Sequence, residues 1–239
     1  SSSSAASDVY KRQDMRNVLE YKDGVSFFGS SSGWENKVEM GKGRSAGIEF
    51  MAQKTAGKTT GWLSYTLSKS DRKFTKGGIN NGEWFPYKYD RRHSINLTIN
   101  HKFSDRIDIG ASWVFYTGGT STIPEEKTTV IRPHNGANNG FLWYGTYDNT
   151  NSSPTIGDVS YIEHRNNFRL PASHRLNLGV NFNKKTKHGM RTWNISLYNA
   201  YNAMNPAWVY RGHNKQGLSV IKKYTLLPLI PSFTYTYKF

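Results

Sequence analysis

Pro231-Ser-Phe-Thr-Tyr-Thr-Tyr-Lys-Phe239 is the stretch that decides the fold. Phe233, Tyr235, Tyr237 and Phe239 alternate with Ser232, Thr234, Thr236 and Lys238. Successive side chains of a strand point to opposite faces, so these residues predict a strand with one aromatic face and one polar face. The aromatic face needs an apolar surrounding, and the sequence ends on a member of it.

The same two-residue period recurs upstream. Ala46, Ile48, Phe50 and Ala52 interleave with Gly47, Glu49, Met51 and Gln53, and Gly61, Leu63, Tyr65 and Leu67 interleave with Trp62, Ser64, Thr66 and Ser68. Further strands carry Ile95, Leu97, Ile99 and His101; Ile107, Ile109, Ala111, Trp113 and Phe115; Leu176, Leu178, Val180 and Phe182; and Trp193, Ile195 and Leu197. Each reads as an amphipathic strand. Short connections (Thr55-Ala-Gly-Lys58, Ser104-Asp-Arg106, Lys184 to Gly189) alternate with long ones (Thr75 to Pro86, Gly118 to about Leu170, Asn202 to about Leu218). Turns short at one end and loops long at the other are the pattern of bacterial outer-membrane barrels, and an aromatic ending on the apolar face is typical of them. Counting back from Phe239 gives strands from about Glu35 plus an earlier one near Met15 to Val25. The expected fold is therefore all-β: an antiparallel transmembrane β-barrel, present in part as about eight strands. Leu226-Leu-Pro-Leu-Ile-Pro231 reads as a kinked entry into the last of them, because proline cannot donate to the ladder.

Composition sets outer limits. Hydrophobic residues make up 36% of the 239 and aromatics 14%; mean hydropathy is −0.69, and no run approaches the roughly 18 apolar residues of a spanning helix. That excludes a helical membrane protein but not a barrel, whose strands hide their apolar half in alternation. Lys and Arg total 32 against 17 Asp and Glu, a formal charge of +15, which calls for a polyanionic partner. The basic residues are scattered through turns, loop bases and polar faces, with no helix-borne stripe, finger spacing or RNA-binding motif, so phosphorylated outer-membrane lipid and lipopolysaccharide are the expected partners rather than nucleic acid. Cysteine is absent, which removes disulfides and thiolate metal sites. Residues 1–13, Ser-Ser-Ser-Ser-Ala-Ala-Ser-Asp-Val-Tyr-Lys-Arg-Gln, have no apolar signal-peptide core. They read as a non-native or disordered segment joined to an incomplete frame, leaving 14–239 as the folded part.

Several phrases then fit together: Gly43-Arg-Ser-Ala-Gly-Ile-Glu-Phe50, Gly61-Trp-Leu-Ser-Tyr-Thr-Leu-Ser68, Phe85-Pro-Tyr-Lys-Tyr-Asp-Arg-Arg-His93, Arg165-Asn-Asn-Phe-Arg-Leu-Pro171, His174-Arg-Leu-Asn-Leu-Gly179 and Tyr198-Asn-Ala-Tyr-Asn202. In this order and spacing, over about Met15 to Phe239, they resemble the C-terminal barrel of TonB-dependent receptors, closest to versions from Bacteroides-like bacteria. The resemblance implies a whole protein of about 22 strands around an N-terminal plug. Such a protein imports a scarce ligand, such as a siderophore, haem, glycan or peptide, across the cell outer membrane with energy from an inner-membrane partner. It implies TonB contact through a region not contained in this sequence, a possible surface lipoprotein beside it, and a barrel-assembly signal at Phe233, Tyr235, Tyr237 and Phe239. No cofactor is implied. A porin-like or adhesin-like barrel without active transport stays open as an alternative, as does a soluble polyanion-binding β protein.

Candidate ligand contacts lie in the long connections. Asp90-Arg-Arg-His93 places Arg91 and Arg92 where they can meet an anionic ligand, against the plainer reading of a salt-bridged rim. Trp84, Trp143 and Tyr144, with Phe141 and Tyr147, are loop aromatics open to ligand or loop packing. Trp62, Trp113, Trp193, Tyr116 and Tyr198 can form a ligand-stacking platform of the glycan-binding kind, against the plainer reading as interface-belt residues where they face outward or lie near strand ends. His93, His134, His164, His174 and His213 show no paired ligand spacing. Glu125-Glu126 diverge on extended chain and make no acid/base pair, and no nucleophile, P-loop or metalloprotease motif occurs. The expectation is a protein that is not an enzyme and holds no metal.

Overall fold

A computed structural model describes residues 4–23, 33–124, 126–131 and 156–239, and of 126–131 and 156–160 the backbone. Eight long strands form one antiparallel meander: β1 (Ser4–Tyr21), β2 (Val38–Lys54), β3 (Thr59–Lys73), β4 (His93–Lys102), β5 (Ile107–Tyr116), β6 (Ser173–Thr186), β7 (Gly189–Tyr198) and β8 (Ile230–Lys238). Each pairs with the next in chain order. Among the described residues β1 and β8 do not pair with each other, so the sheet is open at both edges. The chain is thus all-β and antiparallel.

Because neighbours run antiparallel, the connections segregate by length. Residues 55–58, 103–106 and 187–188 turn at one end, whereas the connections 22–37, 74–92, 117–172 and 199–229 leave from and return to the strands at the other. The β4–β5 turn is closed by Ser104, whose Oγ accepts the Arg106 and Ile107 amides at 3.2 and 3.1 Å. Beside it Lys102 reaches Asp105 at 2.8 Å. That hydrogen bond and charge, with Lys185 adding to them, hold the Asp105 carboxyl below its ordinary value. The expected loop from Lys184 to Gly189 is tighter than its composition suggests: Lys184, Lys185 and Thr186 continue β6 opposite Arg191, Met190 and Gly189.

Register settles how the alternating residues combine. Ala52 pairs with Leu63, Phe50 with Tyr65 and Ile48 with Leu67; Leu63 pairs with Leu97 and Tyr65 with Ile95; Leu97 pairs with Trp113 and Ile95 with Phe115. The series continues through Trp113–Leu176 and Ile109–Val180, Val180–Ile195 and Phe182–Trp193, and Ile195–Phe233 and Trp193–Tyr235. Directly paired residues share a face, so one continuous apolar face runs from β2 to β8. It is also the exposed face: Ile48, Ile195 and Phe233 are 52%, 50% and 65% exposed.

The opposite face is polar and cross-linked. Asn181 and Asn183 donate to the two Asp108 oxygens at 2.7 and 2.6 Å. Thr192 donates to Asn183 Oδ1 at 2.8 Å, and Asn194 to Asn181 Oδ1 at 2.7 Å. The ladder thus steps across β5, β6 and β7 with its amide and carboxylate groups partnered.

Among the described residues the buried apolar side chains lie in the long connections rather than under the sheet. Phe74, Ile79 and Phe85 cluster within the 74–92 connection, with Val18 of β1 against them. The long connections carry structure of their own: Thr120–Ser121 with Phe168–Arg169, Glu126–Ile131 with Ile156–Tyr161, and Pro206–His213 with Ser219–Thr225. The last of these falls where a loop from Asn202 to Leu218 was expected. Its rings of Trp208 and Tyr224 stack at 4.3 Å, and its tip is closed by Asn214, whose Oδ1 accepts the Gln216 and Leu218 amides.

The first strand corrects the expected boundary. β1 starts at Ser4 rather than near Met15, and Ser4–Gln13, set aside as outside the fold, pair residue for residue with Ser45–Lys54. This segment lacks apolar alternation and is exposed throughout. Its pairing follows from the long backbone edge that β2 offers, a ladder that asks nothing of side-chain pattern.

Candidate functional site

The polar groups of the long-connection end organise around Asp90, whose side chain is fully buried. β3 pairs with β4 only as far as Leu67 opposite His93, and beyond that point the Ser70 amide has no strand partner on that side. Asp90 supplies one, accepting the Ser70 N–H at 2.7 Å. Its other oxygen meets Arg92 Nε at 3.0 Å and an Arg169 terminal nitrogen at 2.6 Å. The second terminal nitrogen of Arg169 donates to the carbonyls of Asp90 and Gly118 at 2.6 and 2.9 Å. Arg169 therefore ties the β3–β4 connection to the β5–β6 connection. A side chain at Gly118 would collide with the Leu170 carbonyl 2.1 Å from its Cβ, so the close approach needs glycine there.

Arg165 forms the second clamp. It meets Asp23 at 2.9 Å and Glu20 at 3.3 Å, donates to the Tyr21 carbonyl at 2.7 Å, and its amide is accepted by Asn80 Oδ1 at 2.7 Å. Asn166 donates to the Pro86 carbonyl at 2.7 Å, and Asn167 exchanges two bonds with the Ile123 backbone. The phrase Arg165-Asn-Asn-Phe-Arg169 is thus a staple that holds one long connection to two others and to the end of β1. The sequence flagged the phrase, but nothing local in it names its partners.

The expected contact residues go to separate places. Arg92 is committed to Asp90. The Trp84 ring lies under the Arg44 guanidinium at 4.3 Å. Arg91 stacks on Tyr116 at 3.9 Å and alone of the three lines a cleft of about 430 Å³, with Lys88, Tyr89, Pro206 and Trp208. This cleft is cationic and aromatic, and the walls come from three long connections. Trp143 and Tyr144, with Phe141, Tyr147 and His134, lie outside the described residues, as does Glu125.

Among the belt candidates, Trp113 and Trp193 are on the exposed apolar face, where Trp193 packs against Phe233 and Tyr235 at 5.1 and 4.4 Å. Trp113 Nε1 donates to the Tyr201 hydroxyl, which also bonds His174. Trp62 pairs with Gln53 and Thr98 and so belongs to the polar face, as do Tyr116 under Arg91 and Tyr198 under Arg175. His93 bonds the Tyr65 hydroxyl at 2.9 Å. Among the described residues no three His, Asp or Glu groups converge as a metal site.

No known protein-family model matches the chain, and no curated protein matches it either.

Proposed function

We propose that the chain is part of an outer-membrane β-barrel receptor of the TonB-dependent type, with the apolar face against lipid, the polar face toward the lumen and the long connections on the extracellular side. In this reading the protein imports a scarce ligand and performs no chemistry on it. The observation that carries the membrane half is the inverted amphipathicity: large apolar side chains exposed on every strand from β2 to β8, with hydrogen-bonded polar groups on the reverse. A soluble sheet buries its apolar face against a second layer, and contiguous exposed apolar surface of this extent marks an interface or a membrane. Strand length agrees, since β4, β5 and β7 have 10 residues each and a spanning strand needs about 9 to 11. The receptor half rests on the ordered phrases that resemble the family.

Phe239 gives the test. Its side chain is fully exposed, so its loss removes no packing within the chain beyond a loose contact with Tyr237 at 6.2 Å. Deleting Phe239 from the full-length receptor is expected to lower folded protein in outer-membrane fractions, read by heat-modifiable gel migration, while unfolded chain accumulates in the periplasm. Undiminished folded protein after deletion contradicts an assembly signal at this residue.

A further inference from the structure

On the exposed face of β1, β2 and β3 the apolar rows give way to charge toward the long-connection end. Tyr10, Ile48 and Leu67 pair in one row; the next holds Arg12, Ala46 and Lys69, the next Asp14, Arg44 and Asp71, and the last row shared by all three strands holds Arg16, Lys42 and Lys73, beyond which Leu19 pairs with Met40 in β1 and β2 alone. Both carboxylates in these rows are taken. Asp14 meets Arg12 at 3.3 Å, and Asp71 meets Arg44 at 3.0 Å and Lys69 at 3.5 Å. The last row has three cations side by side and, among the described residues, no carboxylate within salt-bridge distance of any of them. Arg16 and Lys42 are exposed and Lys73 is half-buried. Neighbouring strands lie about 4.8 Å apart, so the three cations originate within roughly 10 Å, and like charges set directly opposite destabilise a sheet. The row calls for an anion from outside the chain.

We infer that Arg16, Lys42 and Lys73 bind the phosphate groups of a phosphorylated glycolipid of the lipid A kind in the outer leaflet. The occupant follows from position and charge. The patch continues the apolar face, as acyl chains continue into a headgroup, and long Lys and Arg side chains reach back along such a boundary. It lies at the long-connection end, which the proposed function puts outside the cell, so the inference rests on that reading. A phosphomonoester offers several strong acceptor oxygens and more charge than a phosphodiester, which suits three adjacent cations.

The test uses the whole chain reconstituted with neutral phosphatidylcholine vesicles, in two readouts. Flotation with the vesicles reads the lipid-facing sheet. Energy transfer from tryptophan to fluorescent lipid A, titrated into those vesicles at low salt, reads the patch. The R16Q/K42Q/K73Q variant is expected to float like the parent but to need about a hundred-fold more lipid A for half-saturation, since each cation near an anionic surface contributes roughly fivefold. A charge-matched control at the short-turn end of the sheet, K58Q/K185Q/K187Q, is expected to stay within about twofold of the parent. Failure of the parent to float overturns the membrane reading and this inference with it. Normal flotation with equal shifts in both variants, or with none, overturns the patch alone. Phosphatidylglycerol at matched surface charge showing the same dependence on the row overturns the glycolipid as its occupant.

Discussion

Replacing Asp90 by alanine is expected to destabilise the folded chain by about 3 kcal/mol. The carboxylate accepts the Ser70 amide and faces Arg92 and Arg169 from a fully buried position. Removing one partner of a buried ion pair costs roughly 3 to 5 kcal/mol because the remaining charge is left uncompensated. Here the arginine side chains are 37% and 33% exposed and can be hydrated in part, which puts the expectation at the low end. Asp90→Asn keeps an acceptor for Ser70 and is expected to cost less. Urea titration of the lipid-folded protein measures both. An alanine variant as stable as its parent would mean that the two connections are held together elsewhere.

Leu178→Arg is expected to cost about 2 to 4 kcal/mol in a bilayer, the range for a cation placed at the midplane on a lipid-facing strand. Leu178 sits between Ala111 and Leu197 in the middle of the apolar rows. The matched change on the polar face is Ser112→Arg, which the account expects to be mild, because Ser112 lies between Thr98 and Asn177 where water reaches the side chain. Asn177 itself is a poor control, since its Oδ1 accepts the Asn199 amide at 3.1 Å. Asn199 in turn holds Ala203 and Leu227 in the path to β8. Folding yields into lipid vesicles compare the two arginine variants, and equal losses would contradict the assigned faces.

Much of the sheet was legible because its signal is local. A period of two names the face of each residue, and every apolar set from Ala46 to Tyr237 that alternates in sequence falls on one face in the register. The first half of β1 was not legible, since Ser4–Gln13 carry no alternation and are ordered only by the neighbouring edge. The clamps were not legible either. Arg165 reaches back 145 residues to Glu20, and Arg169 reaches back 79 to Asp90, so neither charge has a partner that spacing could reveal. Arg92 meets the Asp90 carboxylate, as a salt-bridged rim would have it, while Arg91 stacks on Tyr116 and lines the cleft.

The lipid-facing orientation is the central claim, and the absence of cysteine makes it directly measurable. Single cysteines placed in turn at positions 174 to 183 of β6, spin-labelled in lipid bilayers, report the surroundings of each residue. The account predicts that collision with oxygen, which concentrates in lipid, peaks at 176, 178, 180 and 182. Collision with a water-soluble nickel reagent should peak at 177, 179, 181 and 183. Water-like accessibility at Leu176, Leu178, Val180 and Phe182, or no alternation along the strand, would contradict it.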